Sequence, residues 1–210
     1  KANSGMSISM LETIATKIGG STVIDLSLLL GNNTAGSVPH PEEAGVLIVK
    51  GGVQTLLGVG AAEAIYSEMR SMPKDTTFLS NGVVMNKRAR YNLCIGDVCQ
   101  SAGIANGMGT VVEFANYPHT NTLRKKLEEV TGIDIQFVAD IDHYYDADKC
   151  GIGWHGNRER KIVIGAHFGP GAKQMPLKLQ WFFRNQHVGE EARIDLNPGD
   201  SFRFAGETIS

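Results

Sequence analysis

From Ile133 onward the sequence is broken into short runs of β type, and no other feature limits the fold as strongly. The runs IDIQFVAD, KIVIGAHF, LKLQWFFRN, ARIDL and SFRFAG are separated by Gly, Pro, Asn or Asp, the punctuation of strands joined by turns. Helical signals concentrate before them. Residues 7–18 place Met10, Leu11, Ile14 and Ile18 at helical spacing, with Ser9 three residues ahead of Glu12 in the manner of a capping box. VGAAEAIYSEMRSM (59–72) contains good helix formers and is closed by Pro73. HTNTLRKKLEEVTG (119–132) is the clearest helix, with polar N-cap candidates, Leu123 and Leu127 four apart, and Gly132 as its stop. Helices first and strands afterwards predict an α+β fold, in which N-terminal helices pack against a two-sheet β-barrel or jelly roll.

Other stretches fill in this outline. STVIDLSLLL reads as a strand, GVLIVKGGV as a buried strand and turn, and TVVEFAN as a further strand. GVVMNKRARYNLCIG reads as extended and alternates from Met85, which puts Arg88 and Arg90 on one face. GNNTAGSVPHPEEAG (31–45) is a loop on composition and divides an extension, residues 1–44, from a main domain, residues 45–210. The last residues, SFRFAGETIS, stop inside a strand and the loop after it, so the domain reads as truncated at its C-terminal end.

Bulk properties exclude some functions. A net charge of −2 does not suit a protein that coats nucleic acid by bulk electrostatics, so any such contact would come from a local patch. Of the basic clusters, LRKKLEE reads as the solvated face of a helix, whereas NKRAR is the better phosphate candidate. Cys94, Cys99 and Cys150 are too few for a structural zinc site and read as reduced thiols of an intracellular protein. No apolar run approaches the roughly 20 residues of a membrane span. Trp154, Trp181, Phe182 and Phe183 could stack on a flat substrate, although barrel core is their more frequent role. His167 reads as an ordinary strand histidine, and His187 falls in the loop ahead of ARIDLNPGD.

The chemistry-bearing stretch is HYYDADKCGIGWHGNRE (143–159). Fe(II) oxygenases hold their metal with two His and one carboxylate, the first pair commonly spaced H-x-D or H-x-E. Here the triplet is His155-Gly156-Asn157. With Tyr145, Ile152, Gly153, His155 and Glu159 in register, this stretch resembles the AlkB-like branch of the 2-oxoglutarate- and Fe(II)-dependent dioxygenases. NKRARYNLCIGD upstream, and IVIGAHFG and ARIDLNPGDSFRF downstream, are similar to that family's neighbouring segments, so the resemblance covers about residues 80 to 210.

The resemblance implies a double-stranded β-helix core, with Fe(II) and 2-oxoglutarate as cofactors. The implied reaction is hydroxylation or oxidative dealkylation; the resemblance points to an alkylated nucleobase as substrate, with a peptide or a small molecule as the open alternatives. His155 would be the first metal ligand, with Asn157 in the carboxylate's place. Tyr145 would contact 2-oxoglutarate, and Arg88 and Arg90 would lie on the substrate-side strand. His143 stands where the family has Asn, and the family's distal His and its arginine clamp fall after Ser210. The competing expectation is a catalytically silent barrel that serves as a structural or protein-binding subunit, so the partner is nucleic acid or another protein, and not a membrane.

Overall fold

A computed structural model describes residues 6–31, 43–134, 136–156 and 162–205. Helix α1 (Ile8–Ile18) leads into strand β1 (Ser21–Asp25), a 3-10 segment over Leu26–Leu30, and strand β2 (Gly45–Val49). Helices α2 (Gly52–Leu57) and α3 (Ala61–Ser71) follow, then strands β3 (Thr77–Ser80), β4 (Val83–Asn86), β5 (Tyr91–Gly96) and β6 (Val111–Glu113). Helix α4 (Pro118–Thr131) and strands β7 (Ala139–His143), β8 (Ile164–Ala166), β9 (Leu177–Phe183), β10 (Gln186–Ile194) and β11 (Ser201–Ala205) complete the chain. The fold is α+β. Among the described residues the strands form separate sheets of four, three, two and two strands, and no barrel closes. Two compact units result, one from residues 1–58 and 154–210 and the other from residues 59–153.

In the first unit the sheet order is β1-β2-β11-β8, with antiparallel neighbours throughout. β2 is an inner strand, and every one of its residues is buried. That explains its unbroken apolar run, since a strand covered on both faces needs no polar alternation. Val46 and Ile48 face Leu196, Leu177, Leu179 and Ile194, so the β9–β10 hairpin packs over this side of the sheet. Burying such a side chain contributes about 1.5–3 kcal/mol. On the opposite face Gly45 lies against Ile8 of α1. β1 pairs with β2 from Ser21↔Val49 to Asp25↔Gly45, so residues of the 1–44 segment form part of the same sheet as residues 45–49. The N-cap of α1 is Ser7, whose Oγ accepts the Met10 amide at 3.2 Å. The capping-box reading with Ser9 is therefore corrected: the cap lies two residues earlier, and Ser9 is inside the helix.

The turn Leu196–Asp200 fastens β11 into place. Asp200 is 2% exposed and accepts hydrogen bonds from the Gly51 amide at 2.7 Å, the Asn197 amide at 2.8 Å and Lys50 Nζ at 3.1 Å. Gly199 has φ +86°, and a Cβ there would lie 2.3 Å from Gln54 Oε1. The left-handed conformation favours glycine there, and a Cβ would also push the Gln54 amide aside.

In the second unit β5 is central, parallel to β6 and antiparallel to β7. Leu93, Ile95, Met72, Phe114 and Ile141 form its core. α4 spans the predicted residues and ends at Gly132 in the left-handed region, but no local polar side chain caps its start. Instead Glu68 of α3 accepts the amides of His119 and Thr120 at 2.9 and 2.8 Å, which also suits the positive end of the helix dipole. The continuous strand expected from Met85 onward is interrupted. Residues 87–90 bend between β4 and β5, so Arg88 and Arg90 do not lie on one strand face.

Candidate functional site

Arg88, Arg90 and Tyr145 belong to the 59–153 unit. There the bend at 87–90 is clasped by the segment after β7. Tyr145 Oη donates to the Arg88 carbonyl at 2.9 Å, the Gly151 amide donates to the Ala89 carbonyl at 3.0 Å, and Arg90 Nε donates to Asp142 Oδ1 at 2.6 Å. The Tyr145 ring stacks on Tyr91 with centroids 4.4 Å apart, and His143 meets Tyr91 edge-on at 6.1 Å. Partial desolvation and the neighbouring Cys150 thiol push the Tyr145 phenol up from its ordinary pKa. The structure thus brings Tyr145 and Arg88 together through a main-chain oxygen. Arg90 is drawn to Asp142, while the Arg88 side chain is exposed and forms no ion pair among the described residues.

His155 belongs to the other unit and is exposed, in a stretch without regular structure. Asn157 and Glu159 lie outside the described residues. Among the described residues, no three His, Cys, Asp or Glu side chains come together in a way that could hold a metal ion. One imidazole is therefore the described part of the donor set, and by itself it does not fit a site that needs two histidines and a carboxylate. Even with Asn157 added, the set would gain a neutral amide oxygen and no negative charge.

A second feature of this unit is aromatic. β9 alternates, so Leu177, Leu179 and Trp181 turn inward while Lys178, Gln180 and Phe182 take the other face. Trp181 is core: it is 8% exposed, packs with Leu30 and Ala44, and donates its indole N–H to the Leu26 carbonyl at 2.6 Å. Trp154 is surface: it is 44% exposed and tilts against Phe182 and His187 with ring centroids 5.8 Å from each. Phe182 and His187 are direct cross-strand partners with centroids 4.5 Å apart. The two tryptophans weighed together in the sequence thus have opposite roles.

No family model matches the chain. Over 148 residues it is 38% identical to "Uncharacterized protein R156" of Acanthamoeba polyphaga mimivirus, a match covering 70% of this chain and 57% of that protein. The chain therefore spans less than two thirds of the length of the curated relative it matches. That protein's name states no activity.

His187 is the site residue the sequence reading misplaced. It lies on β10, not in a loop, because Arg184 and Asn185 have φ +49° and +63° and close a tight hairpin directly after Phe183. Two successive residues in the left-handed region are the hallmark of a type I′ turn. The signal in the sequence was the polar Arg-Asn pair between FF and QHV, with Asn as a residue that tolerates that conformation.

Proposed function

We propose that this chain is an AlkB-like, 2-oxoglutarate- and Fe(II)-dependent dioxygenase-type domain with a double-stranded β-helix core, acting on an alkylated nucleobase. One observation carries the reading. The β1-β2-β11-β8 sheet and the β9–β10 hairpin face each other across Val46, Ile48, Leu177, Leu179, Ile194 and Leu196, the two-layer packing from which such a core is built. The segment bearing His155 leads into β8, and the Leu196–Asp200 turn delivers β11 beside β8. The strand that follows the motif is thereby an edge strand of the four-stranded sheet. When bound, the cofactor pair would couple decarboxylation of 2-oxoglutarate to oxidation of a substrate C–H bond. His155 is the residue of the described set that could ligate the metal.

Asn157 decides how active the domain is. A carboxylate there would add a charged donor at the spacing the metal requires. Asn157→Asp is expected to raise Fe(II) affinity in an anaerobic titration and to raise succinate release from 2-oxoglutarate. Background succinate release from both forms, with no Fe(II) uptake, would leave the second reading: a silent domain that binds without catalysis. The engagement of the Tyr145 hydroxyl by the Arg88 carbonyl favours that second reading, since the same hydroxyl would otherwise serve 2-oxoglutarate.

A further inference from the structure

We infer that the outer edge of β4 is a self-association surface, on which a second copy of this chain pairs its own β4 antiparallel about a two-fold axis through Val84. The inference stands apart from the dioxygenase reading, because it uses no residue of the proposed metal or cofactor site.

β3 and β4 are joined by Asn81 and Gly82, at φ +48° and +76°, the two left-handed residues of a type I′ turn. They form a sheet of their own, so among the described residues β4 has β3 on one side and no strand on the other. Ser80 pairs with Val83 and Phe78 with Met85, and the Lys87 amide donates to the Thr76 carbonyl at 2.8 Å. Bonded pairs alternate with unbonded ones in an antiparallel ladder. Residues 83, 85 and 87 therefore turn their N–H and C=O toward β3, and Val84 turns both outward. Side chains alternate too. Phe78, Val83 and Met85 share one face and are 41%, 61% and 49% exposed. Leu79 and Val84 share the other, where Gly107 lies by Leu79. Edge strands are ordinarily protected by a charge, a proline or a bulge. Residues 77–86 contain no charged side chain and no proline, and the pairing of β3 with β4 has no bulge.

Symmetry selects the occupant. A two-fold axis normal to the sheet needs a residue that pairs with itself, and Val84 presents the outward donor and acceptor for it. Two copies then exchange both Val84 N–H···O=C bonds, and Val83 of each meets Met85 of the other on one face. The apolar faces of the two hairpins become continuous across the joint. Charge sets the same register. With Val84 at the axis, the two Lys87 residues stand about 20 Å apart along the strands, beyond the screening length at physiological salt. With Asn86 there instead, they would be offset by only about 7 Å. The edge has no charge to recruit an acidic or basic peptide, and its own copy brings none. Two copies cover on the order of 1,000 Å² in total, at the lower end for a specific interface, so the dimer dissociates on dilution.

The test uses the whole protein in sedimentation equilibrium between about 1 and 200 µM, the range a weak interface requires. The average mass is expected to rise toward that of two chains. Hydrogen exchange of the wild type gives a second readout. Protection of the Val84 amide should grow with protein concentration, whereas the amides of Val83 and Met85, already turned toward β3, should change little. Val84→Lys sets two ammonium groups opposite each other at the axis and should weaken association about tenfold or more. Val84→Glu should do the same, and an equimolar mixture of the two variants should recover association because opposite charges then meet. Tyrosine near-UV dichroism equal to wild type shows that each variant is folded. A mass of one chain at the highest concentration, or a dimer whose Val84 exchange ignores concentration, would overturn the inference. So would wild-type association of Val84→Lys, or two dissociated variants that stay apart when mixed. A lone chain that sediments with phosphatidylcholine vesicles would assign the ribbon to a lipid surface instead.

Discussion

Asp200 keeps its charge although water barely reaches it, because three donors converge on its two oxygens. Burial alone would raise its pKa. The Asn197 and Gly51 amides and the Lys50 ammonium outweigh that and hold the carboxyl below the usual range. A depressed carboxyl stabilises the fold fully above its unfolded value of about 3.9, and that contribution is lost as pH falls through the folded value. Asp200→Ala strands two main-chain donors and should cost about 3 kcal/mol at neutral pH. In urea unfolding followed by Trp181 emission, the gap from wild type should stay constant down to about pH 4 and narrow only below it. Nearby His167 acts at higher pH. Burial lowers its pKa, with Asp200 partly opposing, so the unfolded chain takes up its proton first. Stability should therefore decline as pH drops below about 6.5, and less steeply in His167→Gln. A gap for Asp200→Ala that already closes at about pH 6 would refute the assignment of charge to that carboxylate.

Among the elements, the β9–β10 hairpin depends on an irregularity. The register shifts between Val188 and Ala192, and Gln180 Nε2 closes the gap by donating to the Val188 carbonyl at 2.8 Å. Gly189 sits in this bulge with φ +72°, and a Cβ on it would lie 2.2 Å from the Leu29 carbonyl oxygen and 2.9 Å from Leu30 Cα. Both are main-chain atoms and cannot swing aside. Gly189→Ala should cost at least about 2 kcal/mol and shift Trp181 emission to the red, as the Leu26–Leu30 segment separates from the hairpin. An alanine variant as stable as wild type would mean the bulge opens freely.

Elements whose signals are local were legible in the sequence. α4 carries its own periodicity and its Gly132 stop, and β2 carries an apolar run that belongs to an inner strand. What could not be read was set by distant partners. Glu68 caps α4 from another helix, the 87–90 bend is held by Tyr145 and Gly151, and Gly189 is demanded by Leu29. The candidate site was legible to the same extent: Trp154 and Phe182 stood out by residue type, whereas their separation from Trp181 depended on strand parity.

Across the whole molecule, the two units have separate cores and, by chance of composition, separate reporters. Tyr66, Tyr91, Tyr117, Tyr144 and Tyr145 all fall within residues 59–153, while Trp154 and Trp181 fall in the other unit. Leu93 is fully buried among Met72, Ile95, Phe114 and Ile141, so Leu93→Ala should cost about 2–5 kcal/mol through lost burial and the cavity left behind. If each core supports its own cooperative transition, that loss will lower the midpoint reported by tyrosine near-UV dichroism and leave the indole-reported midpoint close to wild type. Ile48→Ala, on the sheet face that meets the hairpin, should do the opposite. Equal displacement of both midpoints by either substitution would show one cooperative structure instead of two. The distinction bears on function as well. The 59–153 unit is one continuous stretch of chain set between two segments of the other, with Tyr145 and Arg88 on one side of that division and His155 on the other. In a molecule with two independent transitions, the clasp around Arg88 loosens without disturbing the β1-β2-β11-β8 sheet.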